Sequence, residues 1–219
     1  MAATYPVALN IAEQPVLVVG GGAVAARKVV GLLSCEATVT VVAARLGDEL
    51  QELVENGRCK WVARRYQADD LDQATLVFCC TDDPAVNARV SADAKERGLM
   101  VNVADCPELC SFYLPSVLRR GSLSIAVSTG GSSPLLARRI RLGLESQFDD
   151  DMAAFIDWLR SWRARAHAAL PAERREEFWM LATDESFHEL IRSGQSGQAD
   201  AQIRALLDEF ASGNAGSSS

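Results

Sequence analysis

The chain has 219 residues, 48% of them hydrophobic and 23% charged, with a formal net charge of −7. That length can bury a substantial core, and the acidic balance disfavours a general nucleic-acid-binding role because polyanions are repelled over most of the surface. No apolar stretch approaches the ~20 residues that span a bilayer, and the opening "MAATYPVALNIAEQ" carries neither a basic leader nor a long apolar run, so the chain is expected to be cytoplasmic and not membrane-bound.

In chain order, the runs "PVLVVG", "ATVTVVA", "CKWVARRY", "ATLVFCCT" and "LMVNVAD" are short and rich in Val. Between them lie helical patterns such as "AARKVVGLLS", "LGDELQELVENG" and "AVNARVSADAKERG". Buried strands alternating with amphipathic helices predict a doubly wound α/β domain built on a parallel sheet. After Asp105 the pattern changes. "GSLSIAVSTGG" reads as a strand entering a glycine turn, and "SSPLLARRIRLGLES" as a helix capped by Ser133 with Pro134 at its first position. From about Asp149 the chain is helical, in "MAAFIDWLRSWRARAHAAL", a break at Pro171, "AERREEFWMLA" and, beyond a flexible "SGQSGQ" link, "ADAQIRALLDEF". The last residues, "SGNAGSSS", are too small and polar to pack and are expected to be disordered.

Gly20 and Gly22 with Ala25 spell G-x-G-x-x-A directly after the strand Val16–Val19 and before a helix. In that setting one glycine permits the tight turn, the next lets backbone approach a pyrophosphate, and the small third residue allows helix-on-strand packing, with the helix N-terminus facing the anion. This predicts dinucleotide binding. The second strand ends at Ala43, Ala44 and Arg45 with no acidic residue for the ribose hydroxyls. Arg45 could attract a ribose phosphate or simply face solvent, so these residues leave NAD against NADP open.

The two histidines, His167 and His188, lie far along the chain from the glycine turn and lack nucleophile or metal-ligand neighbours. Acid–base chemistry therefore falls to another group. Asp105 closes the predicted strand "LMVNVAD", at the sheet edge where open α/β sheets bind ligands. Its bland alternative is a loop cap. Thr81 and Asp82 follow the strand "TLVFCC" and are candidate contacts to the cofactor. The six cysteines, Cys35, Cys59, Cys79, Cys80, Cys106 and Cys110, match no strong zinc spacing, so they are read as reduced structural thiols with no metal site. Between Leu109 and Leu144 there is no Asp or Glu, whereas Arg119, Arg120, Arg138, Arg139 and Arg141 all fall there. A cationic window in an acidic chain points to an anionic ligand, or else to a solvated face or a subunit contact.

The motifs "VLVVGGGAVAARKV", "TDDPAVNARV", "VNVADCPELCSFYLPS" and "SIAVSTGGSSPLLARRIR" occur in one order across roughly Tyr5 to Leu144. In these the chain resembles the precorrin-2 dehydrogenase family, the dehydrogenase and ferrochelatase part of sirohaem synthases. The resemblance implies an NAD-binding Rossmann domain over 1–112, a small α+β dimerisation segment over 113–148 and a C-terminal helical domain over 149–211, with 212–219 left as a tail. It implies NAD-dependent oxidation of precorrin-2 to sirohydrochlorin by a homodimer and, in bifunctional members, insertion of ferrous iron. By the same resemblance Asp105 falls on the essential aspartate, and Ala23, Val24, Ala44 and Arg45 on cofactor-binding positions. Because the family uses NAD without a strict acidic ribose ligand, NAD is the expected cofactor.

The implied tetrapyrrole is a polycarboxylate, which Arg binds in bidentate pairs and a helix start binds through free amides. Arg119, Arg120, Arg138, Ser128 and Thr129 are accordingly expected to seat the macrocycle. The helical tail is too short for the methyltransferase domain of fused sirohaem synthases, so methylation is expected on another protein. Two rival readings are an NAD-dependent dehydrogenase of a small metabolite, which needs no Arg cluster, and a nucleotide-sensing module, which needs no acid–base group.

Overall fold

The Val-rich runs form five strands: β1 (Pro15–Val19), β2 (Thr38–Val42), β3 (Lys60–Val62), β4 (Leu76–Cys79) and β5 (Met100–Val103). They stand in the order β3-β2-β1-β4-β5, and every neighbouring pair is parallel. The computed structural model describes residues 4–213 and divides into two compact units, Met1–Leu114 and Pro115–Ser219.

In the first unit the period-2 alternation of each strand serves two helical layers. Val16, Val18, Val39, Val41, Leu76 and Phe78 pack with Ala25, Ala26, Val29 and Leu32 of α1 (Ala23–Leu33) and Leu50 of α2 (Asp48–Glu55). Leu17, Val19, Val42, Val77, Cys79, Val101 and Val103 turn to the opposite face, where Val90 and Ala94 of α3 (Pro84–Glu96) cover them. Each fully buried Val or Leu contributes roughly 1.5–3 kcal/mol. With both faces covered, the unit is the Rossmann-like doubly wound sheet that the pattern predicts. The chain builds outward from β1 to β2 and β3 and then returns to β1's other side with β4. The crevice at this reversal is where ligands of such sheets bind.

The exposed edge of β5 is sealed by the segment that follows it. Ser111 N donates to Val101 O at 2.8 Å, and Val101 N donates to Ser111 Oγ at 2.7 Å. Asn102 Nδ2 reaches Phe112 O at 3.0 Å. An edge strand is thereby paired rather than left as a template for aggregation.

The second unit begins with the antiparallel hairpin β6 (Ser116–Arg120) and β7 (Leu123–Val127), followed by α4 (Pro134–Leu144). As expected, Ser133 caps α4, its Oγ accepting from Leu136 N at 3.3 Å, with Pro134 first in the helix. Four helices complete the unit: α5 (Asp151–Ala169), α6 (Ala172–Ala182), α7 (Glu185–Arg192) and α8 (Ser196–Ala211). Phe155, Trp158, Trp162 and Ala166, at helical spacing on α5, bury against Phe178, Phe187, Ile203 and Phe210. The indole Nε1 atoms of Trp158 and Trp162 both donate to Asp200 Oδ1, at 2.8 and 2.9 Å.

Several expectations are corrected. "SGQSGQ" is not wholly a link, because α8 starts at Ser196 within it. Burial of Ala199 and Ile203 further along α8 draws the weak helix formers Ser196 and Gly197 into the first turn, packing overriding propensity. The strands stop short of the residues assigned to their ends: β2 at Val42, before Ala43 and Ala44, and β5 at Val103, two residues before Asp105. β6 and α7 are additional elements. The expected disordered tail, 212–219, lies outside the described residues from position 214 onward. All six cysteines are free thiols.

Candidate active site

Because the five strands are parallel, their carboxyl ends share one edge, and the register pairs Val19 with Val42 and Cys79, and Cys79 with Val103. Four turns leave that edge side by side: Gly20–Gly22, Ala43–Arg45, Cys80–Asp83 and Ala104–Cys106. Val24, Cys80, Thr81, Asp82, Asn87, Ala104, Asp105 and Cys106 line a cleft of about 270 Å3 there. Sequence reasoning placed Val24, Thr81, Asp82 and Asp105 at a cofactor site, and the fold gathers these four around one opening.

The glycine turn is held by backbone on both sides. Gly20 has φ +126, a conformation closed to other residues, and a Cβ there would lie 2.5 Å from Cys80 O. At Gly21 a Cβ would overlap the carbonyl oxygen of Arg45 and meet Ala43 Cβ at 3.0 Å. Gly21 O in turn accepts from Gly47 N at 2.8 Å. Gly20 therefore fits the turn against β4, and Gly21, which the G-x-G-x-x-A reading passed over, fits it against the turn after β2. Gly22 is the N-cap of α1 with no side-chain cap, and a Cβ there would meet nothing within 4 Å. Uncapped first-turn amides over open space, ending at Ala23 and Val24, fit the pyrophosphate of a dinucleotide. Ala44 and Arg45 are exposed beside them.

Asp105 adopts φ +59, in the left-handed region that Asp and Asn tolerate better than other side-chain-bearing residues. The turn is tied down behind it: Val103 N donates to Cys110 Sγ at 3.2 Å, and that thiol donates back to Val103 O. The exposed Asp105 carboxylate shares the cleft with a second one, Asp82. Burial pushes the Cys80 thiol up to about 11 and that of Cys79 to about 12, so both stay protonated.

The opposite wall of the cleft is braced by Asn87, buried on α3. Its Oδ1 accepts from Thr81 Oγ1 at 2.6 Å and from Cys79 Sγ at 3.0 Å, and its Nδ2 donates to Thr81 O at 3.0 Å. Asp83 caps α3 from the same loop, its Oδ1 accepting from Ala85 N and Val86 N. Asn87 falls within the run "TDDPAVNARV", but its spacing there singles out no role for it.

The expected substrate residues lie in the second unit. Arg119 and Arg120 sit on β6, with Arg120 Nε 3.1 Å from Asp150 Oδ1. Arg138 is exposed on α4. The hydroxyls of Ser128 and Thr129 bind the turn before α4, accepting from Gly130 N at 3.2 Å and Ser133 N at 3.0 Å. The histidines belong to the helical part of this unit, where His188 is buried with its ring 4.9 Å from that of Phe155. Among the described residues no group of three or more His, Cys, Asp or Glu side chains is placed to hold a metal ion.

Comparison with known proteins agrees with this architecture. Residues 7–116 match the family model described as putative NAD(P)-binding, and residues 120–147 match that described as sirohaem biosynthesis protein central. Siroheme synthase 1 of Serratia proteamaculans is 37% identical over 212 residues, covering 96% of this chain and 44% of the relative. Siroheme synthase 1 of Yersinia enterocolitica is 40% identical over 205 residues, covering 93% and 43% respectively. The chain thus spans less than half the length of these curated relatives. A solved structure, "SirC, precorrin-2 dehydrogenase", superposes with a TM-score of 0.77 at 29% identity, covering 92% of this chain and all of the other.

Proposed function

The chain belongs to the precorrin-2 dehydrogenase family, the NAD(P)-binding family represented in sirohaem synthases, and we propose on that premise that it oxidises precorrin-2 to sirohydrochlorin with NAD. One observation carries the reading: the glycine turn and the Asp105 carboxylate leave the same sheet edge, and Val24 of α1 and Asp105 line one cleft. A sensor needs the first feature and has no use for the second.

When bound, NAD supplies the hydride acceptor. Gly20, Gly22, Ala23 and Val24 would hold its pyrophosphate at the start of α1, Ala44 and Arg45 would lie toward the ribose, and Thr81 and Asp82 would form the facing wall. Asp105 accepts the proton released from the macrocycle as the hydride leaves, which balances a two-electron oxidation. Its left-handed backbone, fixed by the Cys110 thiol, presents the carboxylate to the cleft. Arg119, Arg120 and Arg138, with Ser128 and Thr129, seat the carboxylates of the tetrapyrrole. The Arg120 partner Asp150 has a side chain 98% exposed, so this ion pair exchanges readily for a substrate carboxylate.

The same reading takes the protein as a cytoplasmic homodimer. Among the described residues no helix is long and apolar enough to cross a membrane. Leu135, Leu136 and Ile140 of α4 are 77%, 48% and 44% exposed, an apolar stripe suited to a second copy. Ferrous iron enters only as the substrate of a second activity, insertion into sirohydrochlorin, which adding ferrous iron to the product would reveal.

Asp105→Asn is the decisive variant, because Asn tolerates the left-handed backbone while losing the base. It should lower kcat by about 100-fold or more and leave NAD binding intact by calorimetry. Full turnover in this variant would remove Asp105 from the chemistry.

A further inference from the structure

The loop Cys80–Asp83 has a tether on each side. At its start Cys80 N donates to Val19 O at 2.7 Å, and Cys80 O is the atom against which Gly20 packs. At its middle Thr81 is bound twice by Asn87, through its hydroxyl and its carbonyl. Thr81 Oγ1 also accepts from Asp83 N at 3.2 Å, so the hydroxyl links the helix to the loop that caps it. Any shift of Thr81 is passed to the carbonyl supporting the glycine turn.

We propose that Asn87 is a positioning residue for the cofactor: acting through Thr81, it fixes the loop after β4 as one wall of the nucleotide cleft and as the support of the glycine turn. The inference rests on the NAD-dependent reading above. Asn is the residue this place demands, because the same side chain must accept from a hydroxyl and a thiol and donate to a carbonyl. The Cys79 thiol is buried and keeps its proton, so it stays a donor and holds the amide in one orientation. Asp at this position offers two acceptors and no donor, and leaves Thr81 O facing a negative charge in a buried site. An apolar side chain leaves both groups of Thr81 unpaired.

Four variants test this: Asn87→Asp, Thr81→Val, their combination, and Thr81→Ser. NAD affinity is measured by calorimetry, alongside kcat at saturating NAD and the melting temperature. Asn87→Asp should weaken NAD binding about tenfold with kcat nearly unchanged. Thr81→Val should cause a similar loss, the combined variant little more than either alone because the two residues act as one unit, and Thr81→Ser should retain wild-type affinity. Lower melting temperature with unaltered NAD affinity would reduce Asn87 to a structural role and overturn the proposal, as would fully additive losses. Should Asn87→Asp not fold, Cys79→Ala takes its place, because it removes the thiol that orients the Asn87 amide and leaves Thr81 intact: weaker NAD binding supports the proposal and unaltered affinity overturns it. Wild-type protein that binds no NAD refutes the parent reading and this one together, whereas wild-type binding with unaffected variants refutes this one alone.

Discussion

Gly21 illustrates how a single residue couples distant parts of the site. It has no role in the G-x-G-x-x-A spacing, yet its missing side chain is what lets the carbonyl of Arg45 approach the turn. Gly21→Ala drives the new methyl into the Arg45 carbonyl, and overpacking of this kind costs about 1–3 kcal/mol. The variant should unfold at lower urea concentration and bind NAD more weakly; an unchanged urea midpoint and affinity would show that the turn yields freely. The placement of Gly20 and Asp105 at the carboxyl edge of the sheet was legible because each closely follows an apolar run. Gly21 and Asn87 were not, since their significance lies in contacts made across 24 and 6 residues of chain, to Arg45 and Thr81, and a local pattern carries no trace of those.

At the level of elements, the strands and crossover helices of the first unit follow their sequence periods closely, because both faces of the sheet are buried and the apolar pattern has no competing use. The second unit was harder to read. In β6 only Leu118 is buried among five residues, so the alternation that marks a strand is nearly absent. In α8 the first turn forms in spite of its composition. What holds α8 to α5 is partly polar: Asp200 accepts from two indoles, with Arg165 and Arg204 nearby, and these interactions hold its carboxyl below the usual range. A depressed carboxyl stabilises the fold above its unfolded pKa of about 3.9 and ceases to as pH falls below that value toward the folded pKa. Asp200→Asn, which keeps an acceptor oxygen but loses the charge, should therefore lower stability by about 0.5–1 kcal/mol at neutral pH once solvent screening is allowed for. The difference from wild type should narrow in acid below about pH 4, and thermal melts of both proteins across that interval check it. A gap that stays constant with pH would mean the carboxylate contributes no charge-dependent stability.

For the whole molecule, the proposed reading divides chemistry and substrate recognition between two differently built units. The doubly wound sheet brings nucleotide-binding amides and a carboxylate to one edge, while the acid-free stretch with Arg119, Arg120 and Arg138 lies in the second unit. The sequence changes its apolar pattern after Asp105 and has no acidic residue between Leu109 and Leu144, close to the boundary between the units at Leu114. Motif order across Tyr5 to Leu144 then pointed to the family that the matches at 7–116 and 120–147 bear out. The most direct test of the account is anaerobic incubation of the purified chain with precorrin-2 and NAD, following NADH and sirohydrochlorin by absorbance. NADH and sirohydrochlorin should form together in equal amounts, and neither should form without the protein; a chain that binds NAD yet leaves precorrin-2 unoxidised would contradict the proposed dehydrogenase activity.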